Sequence, residues 1–173
     1  MQSKPTRIIA VNPGWRHTGI AVFRESELDD WWVKSMRQKT VDQAHHDITA
    51  MISDIMDTNK SEVLAIKKLH PARSSKNLME ITKRLKNWAA RKGLLVCEYS
   101  IKEIEAFLLS SGRLNKTHLM EEVAARYPIL YSELEKGRRS KSYYLGRAFE
   151  AVALGMICLT KLEGKSKGRS IIN

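Results

Sequence analysis

Apolar residues fall in short runs over the first hundred positions and at helical spacing thereafter. Ile8, Ile9, Ala10 and Val11 form a buried-strand pattern that stops at Pro13 and Gly14, and Ile20–Phe23 follows Gly19 closely enough to pair back as a hairpin. Trp31–Ser35 suits a third strand of the same meander, in which Trp31 faces the core and its neighbour Trp32 is partly exposed, or the reverse. Thr40 with Gln43 three positions on suggests a helix start, and Val41, Ala44, Ile48, Met51, Ile52 and Ile55 recur at helical spacing behind it. Val63–Ile66 is a fourth strand. Lys76–Lys92 is a second helix with Leu78, Ile81, Leu85 and Trp88 on one stripe and Gly93 at its stop, and Leu94–Val96 a fifth strand.

The remaining third is helical: Ile101–Ser110, Asn115–Tyr127 and Tyr144–Leu162, with a charged loop from Glu133 to Ser142 before the last helix. Residues 163–173 are expected to form a basic, flexible tail on a single domain of residues 1–162. The order of three strands, helix, strand, helix, strand predicts an α/β fold: a mixed five-stranded sheet, a three-strand meander extended by parallel crossovers, with helices on both faces.

At 173 residues, with 43% hydrophobic and 28% charged positions, the chain is long enough for one well-buried core. Its 30 Lys and Arg outnumber 19 Asp and Glu, for a net charge of +11, which favours a polyanion such as nucleic acid as partner. A merely soluble basic protein would share that balance. Cys97 and Cys158 are too few and too far apart for a disulfide framework or a zinc site. The five His residues lack metal-ligand spacing; His45 and His46, being adjacent, cannot share a helix face. No apolar run is long enough to span a membrane, so the expected location is intracellular, cytoplasmic or nucleoid-associated.

Asn12 would sit at the mouth of the hairpin, at the C-terminal end of a central strand, where open α/β sheets commonly place their sites. Turn chemistry alone would also put an Asn there. A phosphate loop is excluded, because Ile20 and Ala21 stand where the glycine spacing of Gly14 and Gly19 would require Lys and Ser or Thr.

The stretch RIIAVNPGWRHTGIAVF, with Asn12, Pro13, Gly14, Thr18 and Gly19, resembles the first hairpin of the RuvC family of Holliday-junction resolvases, within the RNase H-like superfamily. LAIKK (Leu64–Lys68) is similar to that family's strand ending in a catalytic Glu. SGRLNKTHL (Ser111–Leu119) is similar to its basic DNA-contacting segment, and RAFEAVALG (Arg147–Gly155) to its last helix, which carries two Asp three residues apart. The resemblance implies an RNase H-like fold, a homodimer and branched DNA as partner.

It also implies a site in which four carboxylates hold two divalent cations that activate water and stabilise the attacking and leaving oxygens. The matching positions here are Asn12, Lys67, Arg147 and Glu150, whose formal charges sum to +1 against −4 for the family's set. Hard cations need oxygen ligands, preferably anionic, and the ammonium and guanidinium repel them. Glu62 offers no rescue, lying an odd number of residues from Lys67 on the same strand and about 17 Å away. The expectation is therefore no metal cofactor. The alternative is Mg or Mn, with Asn12 and Glu150 holding one ion.

Lys67 and Arg147 have two readings: they grip a backbone phosphate in place of the metals, or they pair with Glu150, helped for Arg147 by the i, i+3 spacing. Further candidates for phosphate contact are Arg16, Lys68, Arg73, Lys76, Lys102, Arg113, Lys116, Arg138, Arg139 and Lys141. Of these, Arg16, Arg73, Lys116, Arg138 and Arg139 are expected in or beside loops near the site. Trp15, Tyr143 and Tyr144 are candidates to stack on bases, although a Trp in a turn more often anchors it. The functional expectation is structure-directed binding of branched DNA without metal-dependent cleavage. The alternatives are an active junction endonuclease with atypical ligands and a non-catalytic assembly module on the same fold.

Overall fold

The computed structural model describes residues 6–37, 40–109, 115–140 and 144–169. Five strands, β1 (Arg7–Asn12), β2 (His17–Arg24), β3 (Glu27–Ser35), β4 (Val63–Lys67) and β5 (Leu95–Tyr99), form one sheet in the order β3-β2-β1-β4-β5. The β1–β2 and β2–β3 pairs are antiparallel; β1–β4 and β4–β5 are parallel. The helices are α1 (Val41–Asn59), α2 (Lys76–Arg91), α3 (Ile101–Leu108), α4 (Lys116–Arg126), α5 (Tyr131–Ser140) and α6 (Leu145–Arg169). The expected mixed five-stranded α/β architecture is the one observed. None of the described helices is long and apolar enough to cross a membrane.

The central strands read as unbroken apolar runs because helices cover both faces of the sheet. Ile8 and Ala10 of β1, Ala21 and Phe23 of β2, and Val63 and Ala65 of β4 pack with α3, α4, α5 and α6. Ile9 and Val11, Ile20, and Leu64 and Ile66 point the other way, against α1 and α2. This alternation places the polar strand ends. Asn12 has the parity of Ile8 and Ala10, and Lys67 that of Val63 and Ala65, so both are directed toward α6. Glu62, expected on the same strand as Lys67, lies one residue before β4 begins and has the parity of Leu64 and Ile66, which face α1 and α2.

Helix α6 packs on the sheet in the same core as Ala10, Ala21 and Ala65, whose small side chains permit a close approach. A Cβ on Gly19 would collide with the backbone of Arg147 and Ala148, and one on Gly155 with the Phe23 ring. Glycine at these two positions lets the helix and β2 approach.

Several boundaries differ from expectation. The segment from Glu133 to Ser142, read as a charged loop, is largely helix α5: its single apolar anchor, Leu134, is buried, and Lys136–Glu133 and Arg138–Glu135 pairs one turn apart line its outer side. Strand β3 begins at Glu27, four residues early, because a sheet edge tolerates the exposed Asp29 and Asp30. Strand β5 runs Leu95–Tyr99 rather than from Leu94 to Val96. The last helix, expected to end at Leu162, continues to Arg169, while α3 stops at Leu108, short of Ser110. Trp31 and Trp32 are both half-buried, one packed on each core, so both face a core and both stay partly exposed. Thr40 caps α1 as read, its hydroxyl accepting from Gln43 N–H.

Candidate functional site

The site forms where β1 and β4 end side by side beneath the first turn of α6. The hairpin turn is closed by Thr18, whose buried hydroxyl accepts from Gly14 N–H at 3.3 Å and donates to the Gly14 carbonyl at 3.2 Å. A Cβ on Gly14 would strike the His17 carbonyl. Gly14, Thr18 and Gly19 of the Asn-Pro-Gly and Thr-Gly motif thus each have a packing reason, in the turn or under α6.

Asn12 is fully buried and is no ordinary turn residue. Its Nδ2 donates to Glu150 Oε2 at 3.0 Å and more weakly to the Arg147 carbonyl at 3.4 Å. Two acceptors on one side fix the amide's orientation, because the opposite one would set its oxygen against a carboxylate. Lys67 Nζ meets the other Glu150 oxygen, Oε1, at 2.5 Å. Arg147 does not pair with Glu150; one guanidinium N–H donates instead to the Pro13 carbonyl at 3.3 Å. The ion-pair reading therefore holds for Lys67. For Arg147 it fails, because the hairpin carbonyl offers a nearer acceptor than the side chain one turn along its own helix.

These donors do not fit a pair of divalent cations. Among the four positions there is one carboxylate, with an ammonium on one oxygen and an amide N–H on the other. A cation held between Asn12 and Glu150 would require the amide to turn over and Lys67 to withdraw. Among the described residues no three His, Cys, Asp or Glu side chains come together as a metal-binding group.

What gathers here instead is positive charge. A groove of about 620 Å³ beside the site is lined by Lys67, Lys68, Arg73, Lys102 and Arg147, together with His70, and by no acid. A smaller pocket of about 160 Å³ shares Lys67 and Arg147 with it and adds Lys116 and Glu150. Local structure fixes the walls. Lys68 N–H donates to the Tyr99 carbonyl at 2.9 Å, tying the exits of β4 and β5 together. His70 Nδ1 accepts from Ala72 N–H and starts the single turn Pro71–Arg73 that presents Arg73. Lys102 stands in the first turn of α3, whose start is fixed by a reciprocal cap. There Glu103 N–H donates to Ser100 Oγ, and Ser100 N–H donates to Glu103 Oε2 at 2.7 Å. That backbone hydrogen bond holds the Glu103 carboxyl below its ordinary range.

Six of the expected contact residues, Lys67, Lys68, Arg73, Lys102, Lys116 and Arg147, thus converge. Arg16 and Lys76 are exposed but line neither cavity. Arg138 and Arg139, expected in a loop, stand in the last turn of α5, and Arg138 is committed to Glu121 at 2.8 Å and Glu135 at 2.9 Å. Arg113, Lys141 and Tyr143 lie outside the described residues. Trp15 packs against the core formed with α1 and α2 and anchors the turn. Tyr144 is exposed and stacks on His17. The sequence reading missed His17 and His70. His70 follows Lys68 by two residues and was within reach of a local argument, whereas His17 acquires meaning only from a partner 127 positions away.

No protein-family model and no curated protein sequence matches the chain. Solved structures do. Thermus thermophilus RuvC matches at a TM-score of 0.68 and 17% identity over 92% of this chain and 97% of that one. The same protein in complex with a Holliday junction substrate matches at 0.65 and 16%, over 92% and 96%. The yeast mitochondrial Holliday junction resolvase matches at 0.58 and 8%, over 89% of this chain and 78% of that one. The chain has the RuvC-like form of the RNase H-like fold.

Proposed function

We propose that this protein binds branched DNA through the basic groove at the ends of β4 and β5 and does so without metal-dependent cleavage. The observation that carries the reading is a basic groove beside a carboxylate whose two oxygens are already occupied. Five basic side chains line the groove with no acid among them, and the one nearby carboxylate, Glu150, is held by Lys67 and Asn12. Arg147, with one N–H on the Pro13 carbonyl, keeps further donors for a phosphate, and a guanidinium can grip it at two points. The solved relatives named for Holliday junctions make a four-way junction the first DNA to offer. Assembly as a homodimer would present two such grooves to a two-fold symmetric junction.

The test is retention of a four-way junction in a gel at low salt, followed by incubation with Mg²⁺ or Mn²⁺. The expected result is a retained, intact junction. Nicking that disappears with Glu150→Ala would establish an endonuclease instead, and failure to retain any DNA or RNA would favour an assembly role.

A further inference from the structure

Tyr144 stands immediately before α6, 46% exposed, with its ring stacked on that of His17 at a centroid separation of 5.2 Å and an interplanar angle of 29°. His17 is set in place by the hairpin: it opens β2, pairs with Ser35 of β3, and its carbonyl lies where a side chain on Gly14 would have to be. Its Nδ1 is buried and meets no hydrogen-bond partner among the described residues, so the stack on Tyr144 is the side-chain contact that the described residues show for this ring. Tyr144 in turn is held to the site by its carbonyl, which accepts from Arg147 N–H at 3.0 Å. An aromatic ring stacked on one neighbour, half exposed among the described residues and one turn from a groove-lining guanidinium is a flat extension of a cationic surface.

We propose that His17 and Tyr144 form a stacking platform for one unpaired nucleobase, whose neighbouring phosphate is taken by Arg147. The inference rests on the nucleic-acid reading above and adds to it a requirement for an exposed base. A base inside a duplex has both faces covered by its neighbours, so only a splayed or single-stranded nucleotide can use such a ring. Stacking of this kind tolerates any base, and the platform therefore selects open structure rather than sequence.

The test is an abasic scan along the single-stranded arms of a forked duplex, measured with the unaltered protein, Tyr144→Phe and Tyr144→Leu. Removing the base at one position should weaken binding about 5-fold or more for the unaltered protein and for Tyr144→Phe, the low end of a base–aromatic stack. The same removal should leave Tyr144→Leu unaffected, because leucine keeps an apolar contact with His17 but has no ring. A flat scan with the unaltered protein, or an equal response in Tyr144→Leu, overturns the platform while leaving salt-dependent DNA binding intact. Failure of the unaltered protein to bind any nucleic acid overturns both readings. Independently of any variant, 5-iodouracil at the sensitive position should photocrosslink to Tyr144, and crosslinks mapping elsewhere would overturn the assignment.

Discussion

Lys67 Nζ lies 2.5 Å from Glu150 Oε1, so a strand-end ammonium occupies one oxygen of the site's carboxylate while Asn12 donates to the other. The pair is largely withdrawn from water, with side-chain exposures of 24% and 16%. Removing one member of such a pair strands the other charge, whereas removing both does not. Lys67→Met should therefore cost roughly 1–3 kcal/mol in urea unfolding. Adding Glu150→Gln should recover much of that loss.

Restoring acids should restore metal. Asn12→Asp, Lys67→Glu and Arg147→Asp combined shift the four positions by five charge units while leaving Glu150 in place. Titration calorimetry with Mn²⁺ should show saturable uptake by this variant and none by the unaltered protein. Saturable uptake by the unaltered protein would contradict the account of the site.

Close approach of α6 to β2 makes small residues indispensable there. Gly155→Ala places a methyl group in the Phe23 ring, an overpacking expected to cost about 1–3 kcal/mol in thermal or urea unfolding. Phe23→Leu in the same background should return part of it. Gly19→Ala should be worse and resist such relief, since its obstacle is the backbone of Arg147 and Ala148.

Phosphate contact can be separated from mere surface charge by its salt dependence. Lys68→Ala, Arg73→Ala and Lys102→Ala should each weaken junction binding and reduce the slope of log affinity against log salt by about 1. Arg138→Ala should leave the slope unchanged, because its guanidinium is already paired with Glu121 and Glu135.

The start of α3, which presents Lys102, should loosen in acid. The Ser100 backbone N–H holds the Glu103 carboxyl below its ordinary pKa, so the folded state binds the proton less readily than the unfolded chain. The resulting stabilisation is complete above the ordinary Glu value of about 4.3 and is lost as pH falls through the lower, folded value. Unfolding midpoints measured across that window should fall more for the unaltered protein than for Glu103→Gln.

Much of this architecture was legible because strands are short apolar runs and the strand period assigns faces. From Ile8, Ala10 and Asn12, and from Val63, Ala65 and Lys67, two strand ends pointing at one helix could be anticipated. Helix α5 was not legible, since Leu134 alone is buried and one apolar position defines no period. Nor could spacing reveal the partner of Arg147. Its i, i+3 relation to Glu150 favours an ion pair, but the Pro13 carbonyl, 134 residues distant in sequence, is the acceptor the fold supplies. The stack of His17 on Tyr144 is likewise a product of tertiary structure.

Helix α6 approaches β2 at Gly19 and Gly155 without using the side-chain tips of Asn12, Lys67, Arg147 and Glu150: the nearest atoms to a Cβ on Gly19 would be main chain of Arg147 and Ala148, and to one on Gly155 the Phe23 ring. Part of the docking is thus independent of the site's side chains, while the Asn12–Glu150, Lys67–Glu150 and Arg147–Pro13 contacts supply the rest. Exchanging charges at the centre therefore removes polar ties between helix and sheet but leaves the glycine contacts through which α6 and β2 approach.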